Sequence, residues 1–90
     1  MKSHHGELSD DLELRSIDAA RKRSRLYGMT ACRTLFGEVA LVIAWGRIGH
    51  RLQRRTEIFS DEPALRRRRQ ALLMRRKRHG YALFTSQEIA

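Results

Sequence analysis

Val39-Ala40-Leu41-Val42-Ile43-Ala44-Trp45-Gly46-Arg47-Ile48-Gly49 is the stretch on which the fold turns. The run from Val39 to Trp45 is apolar on both faces, which predicts the central strand of a sheet. Gly46 and Gly49 then bracket Arg47 and Ile48 in a turn. Just upstream, Leu35-Phe36-Gly37-Glu38 is a connection in which Gly37 can take a positive φ. Before it, Arg25 to Arg33 is a second strand with Tyr27, Met29 and Ala31 on one face. Further back, Leu12-Glu13-Leu14-Arg15 alternates with period two and Ile17 breaks the phase, which predicts an edge strand with a slip or bulge near Ser16. Asp18 to Ser24 is polar and predicts a basic hairpin loop. Downstream, Arg51 to Phe59 is a fourth strand. All these connections are too short for parallel crossovers, so the sheet is expected to be antiparallel and meander-like.

Ser60 opens a helix in this scheme: a hydroxyl N-cap, then Asp61 and Glu62 facing the helix dipole, then Pro63 in the first turn, where amides lack partners anyway. Gly80 marks its end. Ala64, Leu65, Ala71 and Leu72 form a narrow apolar stripe against the sheet, and the basic side chains Arg75 to Arg78 crowd the last turn. Tyr81 to Thr85 is a final short strand. The expected fold class is therefore α+β, an antiparallel sheet of four to five strands with one long helix packed across one face. Ninety residues make a single domain. Its expected extent is residues 11–85, with a flexible tail at 1–10 and a frayed end at 86–90.

The charge is uneven. Residues 1–20 carry two basic and five acidic side chains, 21–55 nine and one, 56–90 eight and four, for a net charge of +9. After residue 20, 17 basic side chains stand against five acids. Solubility alone usually mixes the two signs, so this surplus predicts attraction to polyanions. The single cysteine, Cys32, has no partner for an internal disulfide and no zinc spacing around it, and is expected to be a small buried hydrophobe in a reducing compartment. His50 and His79 lack a second ligand at helical or hairpin spacing and add donors to a basic surface. No nucleophile elbow, dinucleotide-binding glycine pattern or phosphate-binding lysine loop is present. Neither enzyme activity nor a cofactor, metal or small-molecule substrate is expected. The longest apolar run falls far short of a membrane span, and the acidic start lacks the order of a signal peptide, so a cytoplasmic location is expected.

Two basic features suit a polyanion. Four consecutive arginines, Arg66 to Arg69, span all sides of the helix; with Lys77 and its neighbours they suit phosphate contacts blind to sequence. At the end of the central strand, Trp45 offers a flat face for stacking, Gly46 and Gly49 allow close backbone approach, and Arg47 supplies a forked donor.

Those residues resemble the WGR domain family, found in poly(ADP-ribose) polymerases and in short stand-alone bacterial proteins. The resemblance runs from about Leu12 to Tyr81. It takes in Tyr27, Leu35-Phe36-Gly37, Trp45-Gly46-Arg47-Ile48-Gly49, Gln53, Phe59 before an alanine-bearing helix, and Lys77 with Gly80-Tyr81. Leu52 departs from the pattern, standing where the family commonly has glycine. The resemblance implies a sheet with one helix across it and a role in nucleic-acid binding, with Trp45 as a stacking platform near a strand end and Arg47 as a backbone or interdomain contact. It brings no catalytic domain. The expected ligand is DNA rather than RNA, held by Trp45, Gly46, Arg47, Gly49, Arg51, Gln53, Arg54, Arg68, Arg69 and Lys77. The alternative is a protein partner docked on the same Trp-Gly-Arg surface. A basic helix lying on lipid is disfavoured, because its apolar face is small and partly needed by the core.

Overall fold

A computed structural model describes residues 11–85; the tail at 1–10 and the end at 86–90, expected above to be flexible and frayed, lie outside the described residues. Five antiparallel strands form one sheet: β1 (Leu12–Asp18), β2 (Arg23–Arg33), β3 (Val39–Arg47), β4 (Gln53–Phe59) and β5 (Ala82–Leu83), with α1 (Glu62–Arg78) packed across one face. Their order in space is β4-β3-β2-β1-β5. The expected α+β architecture is what the chain adopts. The middle position belongs to β2, with β3 beside it, because β5 returns after the helix to pair with β1.

Directly paired residues in an antiparallel sheet share a face, so the register sorts the side chains. Leu14, Tyr27, Met29, Ala31, Val39, Leu41 and Ile43 are buried beneath the helix with Leu65, Leu72 and Tyr81. The other face carries small residues along β2 and β3: Gly28 pairs with Ala44, Thr30 with Val42, Cys32 with Ala40. Cys32 is half-buried on this uncovered face rather than in the core.

Several sequence expectations change. Pairing from Leu12↔Met29 to Asp18↔Arg23 is continuous, so β1 has no bulge at Ser16. Ser16 takes the inward position at 5% exposure and Ile17 faces out at 66%. A small side chain suits that place because the chain leaves α1 close above it: a Cβ on Gly80 would sit 3.8 Å from Ser16 Oγ. The hairpin after β1 is a single 3-10 turn, Ala19–Arg21, closed by Lys22 in the left-handed conformation, so β2 begins at Arg23. Gly46 belongs to β3 rather than to the turn, and β4 begins at Gln53.

The N-cap of α1 is Asp61 rather than Ser60. Its backbone is extended and its carboxylate accepts a 2.9 Å hydrogen bond from the Ala64 amide. An aspartate here satisfies an orphan donor and places negative charge at the positive end of the helix dipole. The far end is a Schellman motif, with the Tyr81 amide donating to Arg76 O and the Gly80 amide to Lys77 O at 3.0 and 3.2 Å, and Gly80 at φ +89°. The stripe facing the sheet is also narrower than expected. Leu65 and Leu72 are buried, Ala64 and Leu73 half-buried, and Ala71 exposed. The positions between and beyond the two leucines on that side are filled by Arg68 and Arg76, whose stems pack inward while their guanidinium groups find partners on the sheet.

Candidate nucleic-acid interface

The helix N-terminus lies near the β2–β3 turn, where Arg33 bridges to Glu62 at 2.7 Å. From there α1 runs back over the sheet, so its C-terminal turn arrives over the end of β3 that carries Trp45. Trp45 sits between Tyr27 of β2 and Gln53 of β4, half-buried and packed against the core edge. With Tyr81 beyond the helix end, Tyr27 and Trp45 wall a cleft of about 300 Å³ that also takes in Arg25, Arg55 and Arg76.

The cleft is built from arginine on aromatic. The Arg76 guanidinium lies 4.4 Å from the Tyr27 ring centroid and 5.9 Å from that of Tyr81, and Arg55 lies 5.8 Å from Trp45. Tyr27 and Tyr81 meet edge to face, centroids 6.3 Å apart. A cation over a ring face is worth about 0.5–2 kcal/mol, more as water is excluded. Arg76 Nε is buried with no hydrogen-bond partner among the described residues.

A second cleft, about 330 Å³, adjoins the first at Arg25 and is lined by Arg21, Lys22, Arg23, Ser24, Arg25 and Arg47. Two features of the chain force these cations together. The tight 3-10 turn puts Arg21, Lys22 and Arg23 beside the end of the sheet, and the register sets Arg25 directly opposite Arg47. Like charges facing each other across a strand pair are destabilising unless an anion lies between them. The Ile48 amide donates to Ser24 O at 3.0 Å, which pins the Arg47 segment to the base of the hairpin. Asp18 approaches this cluster, 3.7 Å from Arg21. Arg23 Nε, like Arg76 Nε, is buried without a partner among the described residues.

The residues expected from the sequence fall into three groups. Trp45 and Arg47 reach the two clefts. Gly46, at φ +152°, is cradled by Leu52: a Cβ there would lie 3.1 Å from Leu52 Cδ2 and 3.5 Å from Arg51 O. Leu52 thus packs over the glycine of the tripeptide and helps hold the β3–β4 turn closed. Gly49, at φ +86° with open space around it, is glycine for its backbone conformation. Arg51 and Gln53 are exposed close by, Gln53 directly opposite Trp45.

The rest lie elsewhere. Arg54 pairs with Ala44 on the opposite face of the sheet, where it borders a shallow groove over Gly28 and Val42. Arg68 makes a two-pronged ion pair with Glu57 at 2.8 and 3.0 Å. Those hydrogen bonds hold the Glu57 carboxyl below the usual carboxylate range and push the Arg68 guanidinium up. Arg69 is half-buried, and Lys77 is exposed on the last helical turn.

Arg25 and Arg55 were not singled out from the sequence, Arg76 was named only within the basic last turn of the helix, and Tyr27 and Tyr81 only as strand residues and as positions that carry the family resemblance. Half the signal was there, since stepping back in twos from buried Tyr27 puts Arg25 and Arg23 on its face. What brings Arg55, Arg76 and Tyr81 to them is sheet register and the path of the helix, which periodicity does not fix.

Fold and site together define a small α+β module with two clefts lined by arginines and aromatic rings at one end of the sheet, where it meets the helix. Residues 10–88 match the family model of the WGR domain, and the chain belongs to that family. It is similar to a Sinorhizobium fredii protein, the uncharacterized protein y4dW, at 33% identity over 70 residues, covering 78% of this chain. The matched stretch is 34% of that relative's length, so the chain spans about a third of it. No solved structure matches the chain. No helix among the described residues is long and apolar enough to cross a membrane.

Proposed function

We propose that this WGR domain binds nucleic acid, DNA in preference to RNA, at ends or breaks of the duplex. The observation that carries the proposal is Arg25, which lines both clefts, so that a stacking surface and a set of phosphate donors meet at one residue. Phosphate contacts supply affinity without regard to sequence, and an aromatic face contributes where a base or sugar is free to meet it. Inside an intact duplex those faces are hidden in the stack. An interrupted strand exposes them beside a phosphate, the combination the two clefts suit. The orphaned Nε groups of Arg23 and Arg76 support the same proposal, since buried donors without acceptors cost free energy that an anionic ligand relieves.

Trp45 is the chain's single tryptophan, so its emission reports on the cleft alone. Titration with a short blunt duplex is expected to quench that emission and to shield it from a soluble quencher. Emission unchanged at saturating DNA would remove Trp45 from the interface.

A further inference from the structure

The register draws a line along the helix side of the sheet at its Trp45 end. Arg47 follows Trp45 by two residues, Arg25 stands directly opposite Arg47, and Arg23 precedes Arg25 by two residues on β2. Alternate residues of a strand share a face and lie roughly 7 Å apart. A flat ring and two ranks of guanidinium groups therefore follow one another at that step. It is the length of a sugar, the unit that separates a base from its first phosphate.

The charge beyond Trp45 is denser than a nucleic-acid backbone calls for. Arg21, Lys22, Arg23, Arg25 and Arg47 converge on one cleft of about 330 Å³, room for roughly ten waters at about 30 Å³ each. Asp18 lies 3.7 Å from Arg21, too far for a hydrogen bond. Lys22, Arg23, Arg25 and Arg47 make no ion pair among the described residues. Arg23 Nε adds a buried donor with no hydrogen-bond partner among those residues. A backbone diester brings one negative charge, and the next is a whole nucleotide away. Phosphoryl groups joined directly to one another bring several charges into the same small space.

We propose that the two clefts together hold a free nucleoside triphosphate, its base against Trp45 and its phosphates among Arg47, Arg25, Arg23 and the Arg21–Lys22 turn. Of the three rings lining the first cleft, Trp45 supplies the seat. Tyr27 and Tyr81 are buried, and Arg76 already covers Tyr27. Trp45 is half-buried, and the exposed Arg55 borders its ring at 5.8 Å. An indole and a guanidinium plane are both surfaces on which a base stacks. The inference rests on the stacking role given to Trp45 above, but not on recognition of DNA ends.

The test is calorimetric titration of the full chain with ATP, AMP and inorganic tripolyphosphate at fixed ionic strength, without divalent cations, which would neutralise the phosphates. ATP is expected to bind roughly 10- to 100-fold more tightly than AMP, and Arg47→Gln to weaken ATP by a similar factor, the worth of a charge-assisted hydrogen bond. Arg47 is exposed, so its substitution leaves the core intact. Arg33→Gln, which removes the same charge at the far end of the sheet, is expected to have little effect. The base seat is read without a variant: ATP is expected to shield Trp45 emission from a soluble quencher, and tripolyphosphate to leave it accessible. ATP binding no tighter than AMP overturns the inference, as do equal losses from Arg47→Gln and Arg33→Gln, or tripolyphosphate shielding Trp45 as well as ATP does. DNA affinity is measured in parallel. A chain that prefers nicked or blunt-ended DNA to closed circles but binds ATP no better than AMP refutes the nucleotide site and keeps the proposed function. One that holds ATP with Trp45 shielded, yet binds closed circles as well as ended DNA, keeps the nucleotide site and refutes end recognition.

Discussion

Arg25 joins two chemistries that otherwise lie on different elements. It faces Arg47 across the strand pair and turns toward the cleft that holds Trp45. Removing its charge therefore affects both clefts, whereas Arg54, on the opposite face of the sheet, touches neither. Arg25→Gln is expected to lower the slope of log affinity against log salt by about one unit, the effect of one lost phosphate contact. Arg54→Gln is expected to change it by less. Measured slopes for the two variants decide the matter, and an equal loss from both would mean that charge alone, irrespective of place, attracts the ligand. At this scale the sequence was informative where backbone chemistry is local: Trp45, Gly46 and Arg47 stand out because a glycine-flanked aromatic at a strand end has few structural duties. It was silent on Arg55 and Arg76, because nothing local distinguishes an arginine on the covered face from one in solvent.

The helix is the element whose sequence misleads most. Its arginines read as phosphate contacts, Arg68 among them, yet the side turned to the sheet contains two leucines and two arginines. Arg68 is held by Glu57 of β4, and Arg76 by the rings of Tyr27 and Tyr81. The first fixes where the helix lies, and the second sets its last turn over the cleft. Glu57, its carboxyl pulled down chiefly by the Arg68 hydrogen bond, favours the folded state above the ordinary carboxylate value of 4.5, and that contribution fades as pH falls through the lowered folded-state value. Glu57→Gln is thus expected to cost about 1 kcal/mol at neutral pH, because a partly buried, two-pronged pair exceeds an exposed one. As pH falls through that lowered value the variant and the wild type should converge. Urea denaturation at pH 7 and at pH 3 tests this, and a difference as large at pH 3 as at pH 7 would show that the pair's charge is not what matters. The strands were more legible than the helix face, since alternation in Tyr27, Met29 and Ala31 follows from the pleat itself. The Ser16 bulge was misjudged because a buried serine looks like a break in an apolar pattern, although here a small side chain sits inward beneath Gly80.

Over the whole molecule the positive charge is uneven, because one end carries cations with few acids and the other mixes the two signs. The β1–β2 turn, the β3–β4 turn and the last turn of α1 all lie at the Trp45 end and carry Arg21, Lys22, Arg23, Arg47, Arg51 and the basic run from Arg75 to Arg78. The acids Glu38, Asp61 and Glu62 lie at the other end, roughly 26 Å away along β3 by strand rise, among Arg33, Arg66 and Arg67, with Glu62 paired to Arg33 and Arg66. Composition foretold the surplus of positive charge but not where it collects, because the ends are assembled from segments far apart in the chain. Such a field draws the cleft end first toward a polyanion, and what it finds there is decided by contact. A general polyanion binder would treat every duplex alike, while a stacking contact needs an exposed base or sugar. The deciding measurement is the affinity of wild-type chain and Trp45→Ala for nicked or blunt-ended DNA against closed circular DNA of the same sequence. Trp45→Ala is expected to lose about 1 to 3 kcal/mol on ended or nicked DNA and almost nothing on closed circles, with the salt slope unchanged on both. An equal loss on both forms would contradict end recognition.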